Sequence, residues 1–182
     1  NDASVTGVAA GSWGGGIHFE NVTAAMRNVQ ITNNKAIDKG GAIYLQDSDL
    51  NMYNCTIADN LLLQGGWGSA IHTQKSGFGG HKYLYLTNSI IWEYPESIIL
   101  YNEDEEPIIT YSDIAGGWEG EGNIDSDPLF TDSENDDYTL NEDSPCIDAG
   151  IVVENMEYCG GTPDMGAYEY DILDVCGVCG GD

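Results

Sequence analysis

The chain has very little positive charge, and all of it lies in the first half. Among 182 residues there are 5 Lys and Arg against 31 Asp and Glu, and no Lys or Arg follows Lys82. Nucleic acids and anionic lipid surfaces are bound through phosphate groups, which proteins neutralise with Lys and Arg. The composition therefore excludes nucleic acid as an expected partner.

Long apolar runs are also missing. No stretch of about 18 apolar residues occurs, so we expect no membrane insertion. The chain starts at Asn1 without an initiator Met or an apolar signal region, and we expect a processed or cropped segment of a longer protein. With 41% hydrophobic residues this segment is able to bury a core.

The excess of acidic residues, a formal net charge of -26, has two compatible interpretations. Asp and Glu on a surface keep a protein soluble, as in proteins of salty water. Alternatively, divalent cations neutralise the carboxylates, and calcium prefers such oxygen ligands. The charge favours neither interpretation over the other.

A short phrase recurs along the chain. "GGGIHF" at residues 14–19 returns as "GGAIYL" at 40–45 and more loosely as "GSAIHT" at 68–73. An offset of 26 residues also places Asn34 on Asn60. Each unit holds two short, apolar-alternating strands separated by turns rich in Gly, Asn and Asp, without a helical period.

Later units continue this pattern after a longer insert. In the third unit "YLTNSIIW" at 85–92 aligns with "MYNCTIAD" at 52–59, and a fourth unit begins with "SIILYN" at 97–102. A period of 20 to 30 residues built from short strands predicts a solenoid in which each unit is one coil. Because a leucine-rich framework is missing, we predict an all-β parallel β-helix of about four to five coils.

Equivalent residues of a β-helix stack from coil to coil at a spacing of about 4.8 Å. His18, Tyr44 and His72 are predicted to form an outward aromatic-imidazole stack, because histidines two coils apart, about 9.6 Å, are too far apart to share one metal. Asn34 and Asn60 are expected at a turn. The isoleucine of each unit is predicted to join one internal ladder, formed by Ile17, Ile43, Ile71 and Ile99.

Several longer stretches carry a resemblance to a known family. "SIIW", "ITYSDIAGGWEGEGNIDSDPLF", "DYTLNEDSPCIDAG" and "DMGAYEY" follow one another, and together they resemble bacterial secreted right-handed parallel β-helix repeat proteins with a choice-of-anchor segment. The closing "DVCGVCGGD" is similar to a Cys-Gly-Asp repeat found near the C-termini of large secreted proteins. This resemblance implies export, a right-handed helix and surface display or attachment, and it implies little about chemistry.

Three parts are expected along the chain. Residues 1–130 form the coils, residues 131–170 form a loop-rich cap or anchor-type segment that ends in a strand at "MGAYEY", and residues 171–182 form a Cys-Gly-Asp tail or linker. Both ends of the chain fall inside a repeat. The terminal strands are therefore expected to pair with neighbouring coils of the same protein or with another copy, which would give a filament.

Cysteine use fits an exported protein. We expect Cys146 to be bridged to Cys159, which closes a short loop and stabilises the fold by about 3 kcal/mol. Cys176 and Cys179 form "CGVC" without a βαβ context or a second pair of metal ligands, so a disulfide, between these two or to a partner segment, is favoured over redox or zinc chemistry. Cys55 is expected to be a small buried hydrophobe.

The acidic loops contain the candidate metal ligands. In "DSENDD" the acids Asp132, Glu134 and Asp136 alternate, which is the spacing by which a calcium loop converges oxygen atoms on one ion. "IDSDP" adds Asp125 and Asp127. The loop lacks the Gly and the terminal Glu of an EF-hand at their required positions, and a solvated turn explains the same spacing.

Carbohydrate binding or degradation is the alternative function. A lyase needs a base beside a cation, and Arg27 and the pair His81 and Lys82 are the best candidates for it. A hydrolase needs two carboxylates at a defined separation, and pectinase-type signatures are absent. Trp13 and Trp67 precede the corner glycines, where they would either pack against the corner or stack on sugar rings.

We therefore predict a non-enzymatic extracellular protein of the bacterial cell surface, with no catalytic residues. It would be an acidic, calcium-stabilised β-solenoid that assembles end to end or acts in adhesion. Its expected partners are other copies or neighbouring coils, with a glycan as the alternative.

Overall fold

The computed structural model describes residues 3–5, 13–63, 68–75, 83–93, 98–100, 106–154, 156, 158 and 161–170. For residues 3–5 and 98–100 the backbone alone is described. Several residues discussed above lie outside these ranges, namely Trp67, His81, Lys82, Cys159, Cys176, Cys179 and the whole of 171–182.

Short strands make up nearly all of the regular structure. The first coil contains β2 (Ile17–Glu20), β3 (Thr23–Arg27) and β4 (Val29–Thr32), preceded by β1 (Ala3–Val5) and followed by β5 (Lys35–Ala36). The second contains β6 (Ile43–Gln46), β7 (Asp49–Tyr53), β8 (Thr56–Ala58) and β9 (Leu61–Leu62). The third contains β10 (Ile71–Gln74), β11 (Leu84–Thr87) and β12 (Ile90–Trp92), and the fourth contains β13 (Ile98–Leu100), β14 (Ile108–Thr110) and β15 (Asp113–Ile114). A hairpin follows, formed by β16 (Phe130–Asp132), the 3-10 turn η1 (Ser133–Asn135) and β17 (Asp137–Leu140).

The main coil strands stack in parallel into three sheets, as expected for a β-solenoid, and β5 pairs in parallel with β9 in a short additional sheet. Sheet one has the order β1-β4-β8-β12-β15, sheet two the order β13-β10-β6-β2, and sheet three the order β14-β11-β7-β3. The hairpin β16-β17 is antiparallel. No helix in the described part of the chain has the length and apolar character needed to cross a membrane.

Each coil has three main strands, whereas the sequence pattern predicted two. The additional corner lies at Asn21 and Asp47, whose φ angles of 54° and 48° are in the left-handed region. Asn and Asp tolerate this conformation better than other non-glycine residues. One predicted strand therefore becomes two, which lie in sheets two and three.

The 26-residue offset holds between the first two coils, where Ile17 pairs with Ile43 and Ile31 with Ile57. Ile71 also pairs with Ile43 as predicted. The alignment of the fourth unit was wrong by one residue. Ile71 pairs with Ile98, so that Ile99 lies beside His72 and does not continue the isoleucine ladder.

The third unit shows the same error of one residue. Leu86 pairs with Met52, and Ile91 pairs with Ile57. The alignment of "YLTNSIIW" with "MYNCTIAD" placed Ile90 in that row instead. The error exchanges the inner and outer faces of β12, because neighbouring strand residues point to opposite sides.

Two apolar clusters hold the fold together. The larger fills the interior of the coils and includes Ile31, Ile43, Ile57, Ile71 and Ile91. The smaller lies outside sheet one, where the C-terminal segment covers it, and its fully or nearly fully buried members are Ile90, Leu140, Cys146 and Met165.

The C-terminal segment packs against the coils without adding a strand to them. Residues 165–170 are bends and irregular backbone, so the strand predicted at "MGAYEY" is absent. Its polar contacts include the Ala167 amide, which donates to the Thr56 hydroxyl over 2.9 Å, and the Gly166 amide, which donates to the Asn88 carbonyl over 2.8 Å. The side chain of Asn54 donates to the Asp164 carbonyl over 3.0 Å.

Candidate binding cleft beside the third corner

A cleft of about 780 Å³ opens where the chain leaves sheet one and the C-terminal segment passes nearby. This volume lies within the range of pockets that hold small organic ligands. We call it the corner cleft. Its walls come from the coils and from the segment around β16, and they consist of Lys35, Ala58, Asp59, Asn60, Leu61, Trp92, Glu93, Asp127, Leu129, Phe130 and Ser133.

A row of buried hydrogen bonds forms the coil side of the cleft. The Asn60 side-chain oxygen accepts from the backbone N–H and the side chain of Asn34, each over 3.0 Å. Glu93 Oε1 accepts in turn from the backbone N–H and the side chain of Asn60, each over 2.7 Å. The amides of Asn34 and Asn60 also donate to the carbonyls two residues before them, Thr32 and Ala58. This row fixes the corner from coil to coil.

Glu93 ends this row as a buried carboxyl group. Its side chain is 4% exposed, and burial raises the pKa of Glu93 to about 7, although the hydrogen bonds from Asn60 act in the opposite direction. The neighbouring Asp59 carboxylate raises the pKa further. The group therefore titrates near neutral pH, whereas an exposed glutamate is charged there.

Apolar side chains remain accessible on the walls of the cleft. Leu61 is 48% and Leu129 is 38% exposed, and Trp92 and Phe130 are half-buried. Leu129 also has a φ of 54°, which is uncommon for a branched side chain and costs of the order of 1–3 kcal/mol. Such strain is concentrated at functional sites.

The C-terminal wall is anchored to the coils by polar contacts. Tyr138 donates its hydroxyl proton to Asp59 over 2.7 Å and accepts from the side chain of Asn33 over 3.1 Å. Asn33 also donates to Asp136 over 2.6 Å. Asn33 and Asp59 are the left-handed corner residues of their coils, with φ angles of 58° and 56°. The hairpin is therefore fixed against the corner row, which keeps the cleft open between them.

The five carboxylates predicted to bind metal are not brought together. Asp132 accepts from the Asn135 side chain, Asp136 accepts from Asn33, and Glu134 is exposed on η1. Among the described residues, no group of three or more His, Cys, Asp or Glu is placed to hold a metal ion.

The other two predicted ligands accept hydrogen bonds from backbone N–H groups of nearby turns. Asp125 accepts from the Gly116 amide over 3.1 Å, and Asp127 accepts from the Leu129 amide over 3.0 Å. Carboxylates commonly satisfy nearby backbone N–H groups in this way. Of the five, Asp127 alone lines the corner cleft.

Cys146 is a free, buried thiol within the described part of the chain, and its predicted disulfide partner Cys159 lies outside that part. Its sulfur donates to Asp113 Oδ2 over 3.3 Å. Burial raises the pKa of the Cys146 thiol, and the Asp113 carboxylate raises it further, so this sulfur stays protonated at neutral pH. Burial also raises the pKa of Asp113, to about 6.

Cys55 does more than fill space in the core. It is fully buried, and its thiol donates to the Tyr53 carbonyl over 3.3 Å. Ser89 and Ser112 occupy the same corner in the next coils, where each hydroxyl donates two residues back and accepts an N–H from the coil before. Cys55 thus occupies, in its coil, the corner position that serine occupies in the next two coils, and it makes the same hydrogen bond to the carbonyl two residues before it.

The predicted stack of rings forms, but of its three predicted members only His18 is exposed, whereas Tyr44 and His72 are fully buried. The ring centroids of His18 and Tyr44 are 4.9 Å apart and edge-on, and those of Tyr44 and His72 are 5.6 Å apart and nearly parallel at 8°. Trp13 stacks on Tyr44 at 5.3 Å, and the Lys39 ammonium lies 5.7 Å from the Trp13 ring centroid. This row stabilises the face of sheet two.

Sequence reasoning missed the corner cleft. Glu93, Lys35 and Trp92 were not singled out. A signal was present in "SIIWE", where a glutamate directly follows a buried strand at a corner that Asn33 and Asn34 and then Asp59 and Asn60 form in earlier coils. A long acidic side chain at such a position must either reach solvent or find buried donors.

Comparison with known proteins gives one family match. Residues 28–46 match the model of the Chlamydia polymorphic membrane protein repeat. This stretch runs from the corner before β4 through Asn34 and β5 to the end of β6, so the similarity covers the third side of one coil and the first side of the next. No curated protein and no solved structure matches the chain.

Proposed function

We propose that this chain is a coil-forming segment of a bacterial extracellular surface protein, with a structural or adhesive role and no catalytic one. The observation that supports this proposal is the agreement between the stacked parallel strands and the matched repeat, which spans one complete corner of the solenoid. The matched family is named for a membrane protein of Chlamydia. A solenoid of this kind offers long, regular faces that suit a surface stalk or adhesin.

Surface location predicts that the segment is accessible on intact cells of the bacterium that makes it. We expect antibodies raised against the purified chain to label unpermeabilised cells, and external protease to remove the label. A cytoplasmic protein probed in parallel must remain protected. Labelling that requires permeabilisation would contradict the proposal.

End-to-end association is the finer part of the proposal. At one end of the described coils, β2 and β3 are the last strands of sheets two and three. The inward residues of β2 and β3 are half-buried, namely Ile17, Phe19, Ala24 and Met26. The equivalent residues of the next coil are buried. A further coil would cover the half-buried residues and pair with the strand edges. That coil belongs either to the same protein or to a second copy.

Calcium stabilisation is proposed on charge alone. With a net charge of -26, neighbouring segments repel one another unless cations neutralise their carboxylates. We expect electron microscopy of the protein from its native source to show filaments, and these filaments to shorten on addition of a calcium chelator. Re-addition of calcium, but not of sodium at equal ionic strength, should restore them. Dispersed particles in every condition would exclude both assembly and its dependence on calcium.

A carbohydrate-related function is the second candidate, and the corner cleft is the observation that favours it. If the chain degraded polysaccharides, incubating it with a polymer would release new reducing or unsaturated ends. We expect no such release, because the adhesive role requires binding alone.

A further inference from the structure

We propose that the corner cleft is a carbohydrate-binding site, which takes a neutral or amine-bearing glycan and rejects uronate, sulfate and phosphate groups. This inference names a ligand for the proposed surface protein. It rests on the proposed function only in one respect, namely that the protein meets the glycan outside the cell. Binding by the purified chain is measured independently of location. A failure of one proposal is therefore distinguishable from a failure of the other.

The apolar walls of the cleft suit the faces of sugar rings. Sugars present C–H groups on one face, and these pack against aromatic and aliphatic side chains. Trp92 and Phe130 supply ring surface, and Leu61 and Leu129 remain about half exposed although they are large and apolar. Leaving such side chains accessible inside a concave site has no benefit for folding, and a ligand that covers them gains the free energy of their burial.

Hydrogen-bonding groups lie among these apolar side chains. Asp59 and Asp127 each accept one hydrogen bond from the protein, from Tyr138 and from the Leu129 amide. A carboxylate has about four lone-pair sites, so both retain capacity for sugar hydroxyl donors. Hydrogen bonds to a charged acceptor are about twice as strong as neutral ones. The Ser133 hydroxyl also lines the cleft and adds a short-range donor and acceptor.

The charge of the cleft determines which glycans fit. Two exposed carboxylates, Asp59 and Asp127, line the cleft, and among the described lining residues Lys35 is the one cation. A uronate or sulfate would meet this acidic surface on a chain of net charge -26, and like charges in a confined site repel strongly. Neutral hydroxyls, or the ammonium group of an amino sugar, meet no such barrier.

Backbone strain supports ligand binding at the same wall. Leu129 has a left-handed φ of 54° beside the Asp127 turn, and glycine would adopt this conformation without the cost that leucine incurs. The wall therefore retains a large apolar side chain at an energetic cost.

A basic peptide is the rival ligand. It would use the carboxylates but would leave the four apolar side chains without a complementary partner.

The test is calorimetric titration of the purified chain with cellohexaose, chitohexaose, mannohexaose, deacetylated chitohexaose, hexagalacturonate and, as a basic peptide, hexalysine. We expect at least one neutral or amino-sugar oligomer to bind, and hexagalacturonate to bind at least tenfold more weakly. Trp92→Ala should weaken binding by tenfold or more. Trp13→Ala, which removes an exposed tryptophan outside the cleft, should leave it unchanged.

A second variant separates binding from stability, because Trp92 also packs against the smaller apolar cluster. Leu129→Gly removes the exposed side chain and relieves the strained φ, so we expect an unchanged or higher melting temperature together with several-fold weaker binding. Three results would overturn the proposal: no binding by any neutral or amino-sugar oligomer, equal losses for Trp13→Ala and Trp92→Ala, or binding by hexalysine alone.

Discussion

Replacing Gly41 with alanine is expected to lower the free energy of unfolding by about 3 kcal/mol or more. A Cβ atom built on Gly41 lies 2.1 Å from the Ser69 carbonyl oxygen, which belongs to the backbone of the next coil. At this corner the Gly41 amide donates to the Gly68 carbonyl over 3.1 Å. The added methyl group therefore forces two coils apart at a point where no flexible side chain can yield.

Urea unfolding followed by circular dichroism measures this effect. Gly161→Ala is the matched control, because a Cβ atom there meets no atom within 4 Å, and its effect should stay within about 0.5 kcal/mol. Gly15 has the same environment as Gly41 one coil earlier, with its Cβ 2.1 Å from the Gly41 carbonyl oxygen. Gly15→Ala should therefore behave as Gly41→Ala does. A Gly41→Ala protein as stable as the control would show that the coils are not in direct contact at this corner.

The glycine before Gly41 explains why the fold was predictable from the sequence. Gly14, Gly40 and Gly68 all have a positive φ, and a Cβ atom on Gly40 would lie 2.2 Å from the Ile43 carbonyl oxygen, so this corner residue is glycine in all three coils. The phrase "GGAIYL" therefore returns wherever the corner returns. The position of Gly41 is less strict, because Ser69 occupies it in the third coil. The 26-residue offset gave the pairing of Ile17 with Ile43 correctly, because those two coils have equal lengths.

The register of later coils was not predictable in the same way. β12 is apolar on both faces, because Ile91 points into the coil interior while Ile90 is buried under the C-terminal segment. Alternation, which normally identifies the inward face, is then lost. "SIIL" at 97–100 presents the same ambiguity, and the structure pairs Ile98, not Ile99, with Ile71.

The corner cleft depends on contacts that sequence spacing does not indicate. Its two walls come from residues near Glu93 and from residues near Leu129, and the local sequence does not link them. Sequence alone also gives little reason to predict that a glutamate is buried, because Glu is rarely buried without a partner. The spacing of acids around Asp132, by contrast, predicted a metal site, although Asp132 accepts a hydrogen bond from Asn135 within the same turn.

Replacing Glu93 with glutamine is expected to stabilise the protein at pH 8 by about 2 to 3 kcal/mol and to have little effect at pH 4.5. Burial raises the pKa of Glu93 from 4.5 when exposed to about 7 in the folded protein. Between these values the folded state binds more protons than the unfolded state, so stability falls as the pH rises from 4.5 to 7. Glutamine keeps an oxygen that accepts from Asn60 and removes the ionisation, so this part of the pH dependence disappears.

Chemical unfolding at a series of pH values tests this expectation, with Glu142→Gln as a control that changes the net charge equally at an exposed site. The Glu93→Gln protein should keep a smaller decline in stability between pH 3.8 and 6, because burial raises the pKa of Asp113 to about 6 in the same direction. Asp113→Asn in the Glu93→Gln background should remove that remainder while its amide oxygen still accepts from the Ser126 N–H. Parallel stability curves for wild type and Glu93→Gln would mean that Glu93 is solvated or ionised in the folded protein. A flat curve for the double variant would assign the pH sensitivity of this solenoid to two buried carboxyl groups, since the exposed acids would then contribute little of it.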